Sequence, residues 1–264
     1  MNNTINDISL FVDGNQESRT IIFVHGFPFD HYMWDSQLRD FRDNYCCVTY
    51  DIRGLGTSPA GDGQFTIETF VDDLEEIINQ LNLDKPVLCG LSMGGYISLR
   101  AVERMQKTFS ALILCDTKST PDDNEGKLKR SAAIKQIKSG HFESFIESFA
   151  RNCFGDTFVR EKKTLFDEVL NRSKKSNPTG VKGCLLAMAG RTDTTSFLSK
   201  ITIPTLIISG REDKLTPPDV MKQMADQIHN SKFVLVEGSG HMTPIEKPGA
   251  VGDAIKMFLS QHEL

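Results

Sequence analysis

Residues Gly90–Gly95 read GLSMGG and follow directly on an apolar run, DKPVLC at Asp84–Cys89. Glycines flank Ser92 at the point where a strand-like run gives way to a helix-like one. That spacing predicts a turn whose backbone is too crowded for side chains on either side of the serine. A serine at the apex of a strand–turn–helix unit presents its hydroxyl above a sheet, next to a helix N-terminus that favours developing negative charge. The plainer alternative is a glycine-rich turn that only packs a helix on a sheet.

Working outward, short apolar runs alternate with longer amphipathic ones. RTIIFVHG (Arg19–Gly26), NYCCVTYD (Asn44–Asp51), KPVLCG (Lys85–Gly90), SALILCD (Ser110–Asp116), IPTLIISG (Ile203–Gly210) and KFVLVEG (Lys232–Gly238) read as strands. They lack polar alternation, as expected of strands covered on both faces. Between them, TIETFVDDLEEIINQL (Thr66–Leu81) places Ile67, Val71, Leu74, Ile77, Ile78 and Leu81 on one stripe, with Thr66 and Thr69 as candidate helix starts. Ser92–Met105, Pro217–Ile228 and Pro248–Gln261 are further helices, the last two opened by proline. The alternation predicts an α/β fold with a mostly parallel central sheet and helices on both faces. From Thr117 to Ser199 no buried strand is evident, so residues 117–199 are expected to form a helical cap inserted into a core of residues 1–116 and 200–264.

Composition narrows the function classes. The chain has 264 residues, enough for one large α/β domain, and a net charge of -5 that gives no reason to expect a nucleic-acid partner. The basic stretch EGKLKRSAAIKQIK (Glu125–Lys138) reads as the solvated face of a helix. Six cysteines show no C-x-x-C spacing and sit mostly in apolar runs, as small buried hydrophobes do; neither a metal site nor a disulfide framework is expected. The N-terminus lacks a signal-peptide pattern and no segment reaches the length of a membrane span, which makes a cytoplasmic location the expectation.

If Ser92 is a nucleophile, it needs a base, and the base needs an orienting acid. Of the six histidines, His241 lies in a glycine-rich loop, VEGSGHMTPIEKP, after the last strand, at the sheet edge where ligands of open α/β sheets bind. His25 also ends a strand but stands in a tight turn, where structural hydrogen bonds are its expected role. For the acid, Asp116 and Asp213 both fit the chain order nucleophile, acid, histidine, whereas Asp51 does not. Asp213 is favoured because the loop after the penultimate strand lies nearest the histidine loop. Oxyanion donors are expected from the backbone N–H groups of Met93 and of Phe27, the latter in HGFPFD (His25–Asp30).

Taken together, HGFP, DIRGLGTS (Asp51–Ser58), GLSMGG, GREDKLTPP and GSGHMTPIEKP resemble the motifs of the α/β-hydrolase family, in order and across nearly the whole chain. Within it the chain looks most like small capped carboxylesterases and 3-oxoadipate enol-lactonase-like hydrolases. The resemblance implies catalytic roles for Ser92, Asp213 and His241, oxyanion roles for Phe27 and Met93, and no cofactor. The dehalogenase and epoxide-hydrolase branches carry an aspartate at the elbow, so Ser92 counts against both. The expected activity is cleavage of a small-molecule ester or lactone through an acyl-enzyme. A slow-turnover signalling receptor, or a thioesterase, perhydrolase or carbon–carbon bond hydrolase on the same residues, stays open as an alternative. The cap is expected to supply an apolar pocket lined by Phe142, Phe145, Met188 and Trp34, although a phenylalanine stripe of this kind ordinarily forms the cap's own core.

Overall fold

The six apolar runs pair side by side in the computed structural model, which describes residues 3–264. Ahead of them stands a hairpin, β1 (Asn3–Ile5) and β2 (Ile8–Asp13). The runs themselves become β3 (Thr20–Val24), β4 (Cys46–Tyr50), β5 (Val87–Leu91), β6 (Ala111–Cys115), β7 (Thr205–Gly210) and β8 (Ser231–Val236). Across the sheet the order is β1-β2-β4-β3-β5-β6-β7-β8. Pairing is parallel from β4 to β8 and antiparallel only at the two hairpin strands. Every residue of β3 to β7 is buried, which explains why these strands carry no polar alternation.

The hairpin is not among the strands expected from the sequence. Its signal is the two-residue turn Asn6-Asp7, where both residues take positive φ (49° and 66°), as a tight hairpin turn requires. β1 has only three residues, and Ser9 and Asp13 interrupt the apolar run of β2.

Helices fill the connections: α1 (Asp35–Phe41), α2 (Ile67–Gln80), α3 (Met93–Met105), α4 (Asn124–Lys138), α5 (Phe142–Cys153), α6 (Asp156–Glu161), α7 (Lys163–Ser173), α8 (Pro178–Ala189), α9 (Pro218–Gln227), α10 (Thr243–Glu246) and α11 (Pro248–Gln261). Thr66 starts α2 by accepting from Thr69 N at 3.2 Å, and Thr69 returns a bond to the Thr66 backbone, so both expected start residues share one cap. Five helices, α4 to α8, lie between β6 and β7, and α4 packs on α5 and α8. All six cysteines are buried and free. Among the described residues no helix is long and apolar enough to cross a membrane.

The sheet order creates the place for a site. The chain moves from β3 outward to β4, then returns to the other side of β3 with β5. Loops leaving β3 and β5 therefore diverge and open a crevice at the carboxyl edge. Val24 pairs with Gly90 across this switch point, which sets the HGFP turn beside the turn holding Ser92.

Candidate active site

Ser92 sits between β5 and α3 with φ 54° and ψ −114°, a conformation that costs a side-chain-bearing residue about 1–3 kcal/mol. Its neighbours over-determine it. Ser92 N donates to Cys115 O at 3.0 Å, while Ser92 O accepts from Tyr96 N at 3.1 Å and from Thr117 Oγ1 at 2.7 Å. The flanking glycines are sterically required. A Cβ on Gly94 would lie 2.2 Å from Val24 O, and one on Gly90 would lie 2.4 Å from Gly94 O. The crowding inferred from GLSMGG is thus backbone against backbone, with β3 pressing on the first turn of α3.

The register of β7 on β8 delivers the other two side chains. Gly210 pairs with Val236, and beyond it Arg211 N donates to Val236 O at 2.9 Å and Glu212 N to Ser239 O at 2.8 Å. The two loops run laced together, and His241 Nδ1 meets Asp213 Oδ2 at 2.7 Å. Asp213 Oδ1 accepts from Leu215 N at 2.8 Å and Thr216 N at 3.0 Å, and Thr216 Oγ1 donates to Oδ2 at 2.5 Å. This carboxylate has almost no freedom to turn. With Nδ1 engaged, His241 leaves Nε2 for the cavity.

Electrostatics follow from burial and pairing. Burial by itself would raise the Asp213 carboxyl, but the His241 charge, its hydrogen bond and Thr216 outweigh it and hold the group below the ordinary carboxylate range. Burial likewise opposes protonation of His241; the Asp213 charge and hydrogen bond, with Asp116 and Glu246 behind them, outweigh it and raise the imidazole above its ordinary value. His25 behaves in the opposite way. Fully buried, it is pushed down to about 4, and it bridges the backbone by accepting from Ile52 N at 2.8 Å and meeting Gly26 O at 2.9 Å. It is a neutral brace under the HGFP turn, the role its setting suggested.

Asp116, the rival acid, makes no hydrogen bond to His241. Its Oδ1 accepts from Gly210 N at 2.8 Å and its Oδ2 from Thr243 Oγ1 at 2.5 Å. Burial, reinforced by the Asp213 charge, raises its carboxyl well above the usual range. It ties the end of β7 to Thr243, two residues past His241. Two further residues escaped the sequence reading of roles. Thr216 clamps Asp213, and Glu246 accepts from Gly155 N at 2.9 Å and Met242 N at 3.2 Å. Together with the bond from His241 N to Cys153 O at 2.8 Å, Glu246 fixes the histidine loop to the junction of α5 and α6. The acid three residues before a threonine and the Pro-x-Glu-x-Pro run were the signals available for them.

Ser92 and His241 open onto one cavity of about 880 Å³, also lined by Phe27, Phe145, Phe149 and Met188. Ser92 and His241 both line this space, and no hydrogen bond joins their side chains among the described residues. The N–H groups of Phe27 and Met93 meet no protein acceptor among the described residues. Of the four expected lining residues, the structure brings Phe145 and Met188 to the cavity but not Trp34 or Phe142. Trp34 is fully buried and packs on Phe23 of the interior strand β3 at a ring separation of 5.2 Å, at the end of the 3-10 turn before α1. Phe142, at the first turn of α5, is partly buried against the core and does not line the cavity. Phe149 takes its place, edge-on to Phe27 at 5.2 Å. The lining is also less apolar than expected: Lys118, Lys129, Arg130, Arg151 and Lys214 contribute to it, against Asp122 and Asp156.

Comparison with known proteins agrees with this architecture. The alpha/beta hydrolase fold family matches residues 19–248. A 3-oxoadipate enol-lactonase of Acinetobacter baylyi is 26% identical over 241 residues, spanning 91% of this chain and 88% of its own. A non-heme chloroperoxidase of Kitasatospora aureofaciens is 29% identical, spanning 92% of this chain and 94% of its own. Among solved structures, a thermophilic esterase of Thermogutta terrifontis superposes with a TM-score of 0.92 and 32% identity, covering 97% of this chain and 95% of that one.

Proposed function

This chain belongs to the alpha/beta hydrolase fold family, and on that premise we propose that it is a serine hydrolase cleaving carboxylic esters or lactones. One observation carries the reading. A strained serine on the β5–α3 turn and a buried His–Asp pair on two laced loops open onto the same cavity. In the proposed reaction, Ser92 Oγ attacks the acyl carbonyl as His241 Nε2 takes its proton. Asp213 holds the imidazole with Nδ1–H facing it and stabilises the imidazolium. The N–H groups of Phe27 and Met93 bind the oxyanion, each such donor being worth about 3–4 kcal/mol in the transition state. His241 then gives its proton to the leaving alcohol and afterwards draws one from water, which releases the acid and restores Ser92. Residues 117–199 act as the cap over a core of residues 1–116 and 200–264, and Glu246 couples the two at the histidine loop.

The name of the enol-lactonase relative and that of the esterase neighbour support this reaction class. The chloroperoxidase relative favours a second one. Hydrogen peroxide attacking the same acyl-enzyme in place of water would release a peracid, which oxidises halide. Replacing Ser92 with alanine tests both. Turnover of p-nitrophenyl butyrate should fall at least about 10³-fold, and peroxide-dependent bromide oxidation should vanish with it. Near-normal turnover in Ser92→Ala rejects the assignment.

A further inference from the structure

Helix α4 carries Lys127, Lys129, Arg130, Lys135 and Lys138 against one acid, Glu125, in a chain whose net charge is -5. Two of these cations are used locally. Lys129 pairs with Glu125 at 2.7 Å, and Arg130 turns inward to Asp122 at 3.0 Å. The other three are laid out as a face. Asn124, Lys127, Leu128, Ser131, Lys135 and Lys138 are all exposed and fall within roughly 100° of the helix circumference, over about 21 Å of its length. No acid lies in that arc, and Lys127, Lys135 and Lys138 form no ion pair among the described residues. On the opposite side of the helix, Gly126, Arg130 and Ala133 line the cavity that holds Ser92 and His241.

Solvation of a helix surface does not account for this face by itself. Lys135 and Lys138, in the last turn, complement the helix dipole, but Lys127, in the first turn, opposes it. Leu128 stands between these lysines with 70% of its surface in water. The neighbouring helix α8 packs against α4 and continues the pattern. Its Lys182 and Leu186 stand one turn apart on one side. Leu186 is 52% exposed, and Lys182 is partly exposed and forms no ion pair among the described residues. The residue types narrow the partner. Protein interfaces are depleted in lysine and anchored by Trp, Tyr and Arg, none of which lies in the exposed arc of α4. A layer of anionic lipid headgroups suits both features: its negative surface potential attracts lysines, and leucines on the same face reach the apolar boundary beneath.

We propose that the outer face of α4, with the exposed stripe of α8, docks this chain on an anionic phospholipid surface. The docked chain would hold the cavity one helix away from the lipid. The proposal stands on the charge and exposure of this face and does not depend on the reaction at Ser92. It requires no segment to cross the bilayer, because lysines and single leucines engage the headgroup layer alone.

The test is flotation of the intact chain with vesicles of phosphatidylcholine, either alone or with about 30% phosphatidylglycerol. The chain should float with the anionic vesicles only, and about 0.5 M salt should release it. The triple variant Lys127→Glu/Lys135→Glu/Lys138→Glu should bind the anionic vesicles at least about tenfold more weakly. Leu128→Ser should weaken binding as well, while both variants keep the Tm of the intact chain. A control triple, Lys85→Glu/Lys107→Glu/Lys200→Glu, makes the same change in net charge at exposed lysines outside residues 117–199 and should still float. No flotation of the intact chain, equal flotation with phosphatidylcholine alone, or equal losses in the two triples overturns the proposal. Capture on immobilised polyglutamate without flotation also overturns it, in favour of an acidic protein partner. The hydrolase reading is judged separately, by soluble p-nitrophenyl butyrate turnover in Ser92→Ala.

Discussion

Replacing Asp213 with asparagine removes one charge from the centre of the proposed site while keeping its shape. The carboxylate oxygen lies 2.7 Å from His241 Nδ1, and both side chains are almost wholly buried. At an effective dielectric near 20, unit charges in this range attract by about 4 kcal/mol. The imidazolium that forms during acyl transfer would lose most of that, and about 1.4 kcal/mol corresponds to a factor of ten. The expected outcome is a loss of about 10³ in kcat for p-nitrophenyl butyrate, with KM little changed. The pH profile should shift as well. His241 is raised above its ordinary value chiefly because Asp213 outweighs burial, and catalysis needs the neutral imidazole. The intact chain should therefore gain activity as pH rises through a value above that of an ordinary histidine. In Asp213→Asn, burial acts unopposed by that charge, so the acid limb moves to lower pH. A loss of less than tenfold, or a limb that stays in place or moves up, refutes the assignment of Asp213 as the orienting acid and returns attention to Asp116.

Two other perturbations follow from the geometry. Gly94→Ala drives a methyl group to 2.2 Å from Val24 O, and neither backbone can yield easily; calorimetry should show destabilisation of about 1–3 kcal/mol or more, accompanied by loss of activity as Ser92 shifts. Asp51 accepts four bonds, from His31 N, His31 Nδ1, Thr57 N and Thr57 Oγ1 at 2.7–3.0 Å. Burial raises its carboxyl, but the hydrogen bonds and charge of His31 outweigh that and hold it well below the ordinary range. A depressed carboxyl stabilises the fold above its unfolded value, and that stability is lost as pH falls from there through the lower, folded value. Tm measured from pH 7 down to 2 should show the Asp51-dependent fall only below about pH 4 in the intact chain. Asp51→Asn should start lower, by about 3 kcal/mol in stability, and follow a flatter curve.

The sequence determined the parts of this molecule that are local. Each central strand was a run of apolar residues because neighbours cover both its faces; α2 was visible as a stripe with threonine starts, α9 and α11 by their opening prolines, and α3 as the run after the elbow. The elbow was legible because its crowding demands glycine at two fixed offsets from Ser92. Even the His241–Asp213 pair could be narrowed by chain order and loop position. Tertiary structure alone decided what surrounds those residues. Asp116 and Asp213 look alike in sequence, each an aspartate ending a strand, and only the register of β7 on β8 makes one the partner of His241 and the other a tie to Gly210 and Thr243. The cavity wall is assembled from residues up to 214 positions apart, from Phe27 to His241. Side-chain type does not say which way such residues face, so Trp34 packs on Phe23 of β3 while Lys118 and Arg130 converge on one carboxylate. Periodicity fixes which face of an element is buried; only packing between distant elements fixes what it is buried against.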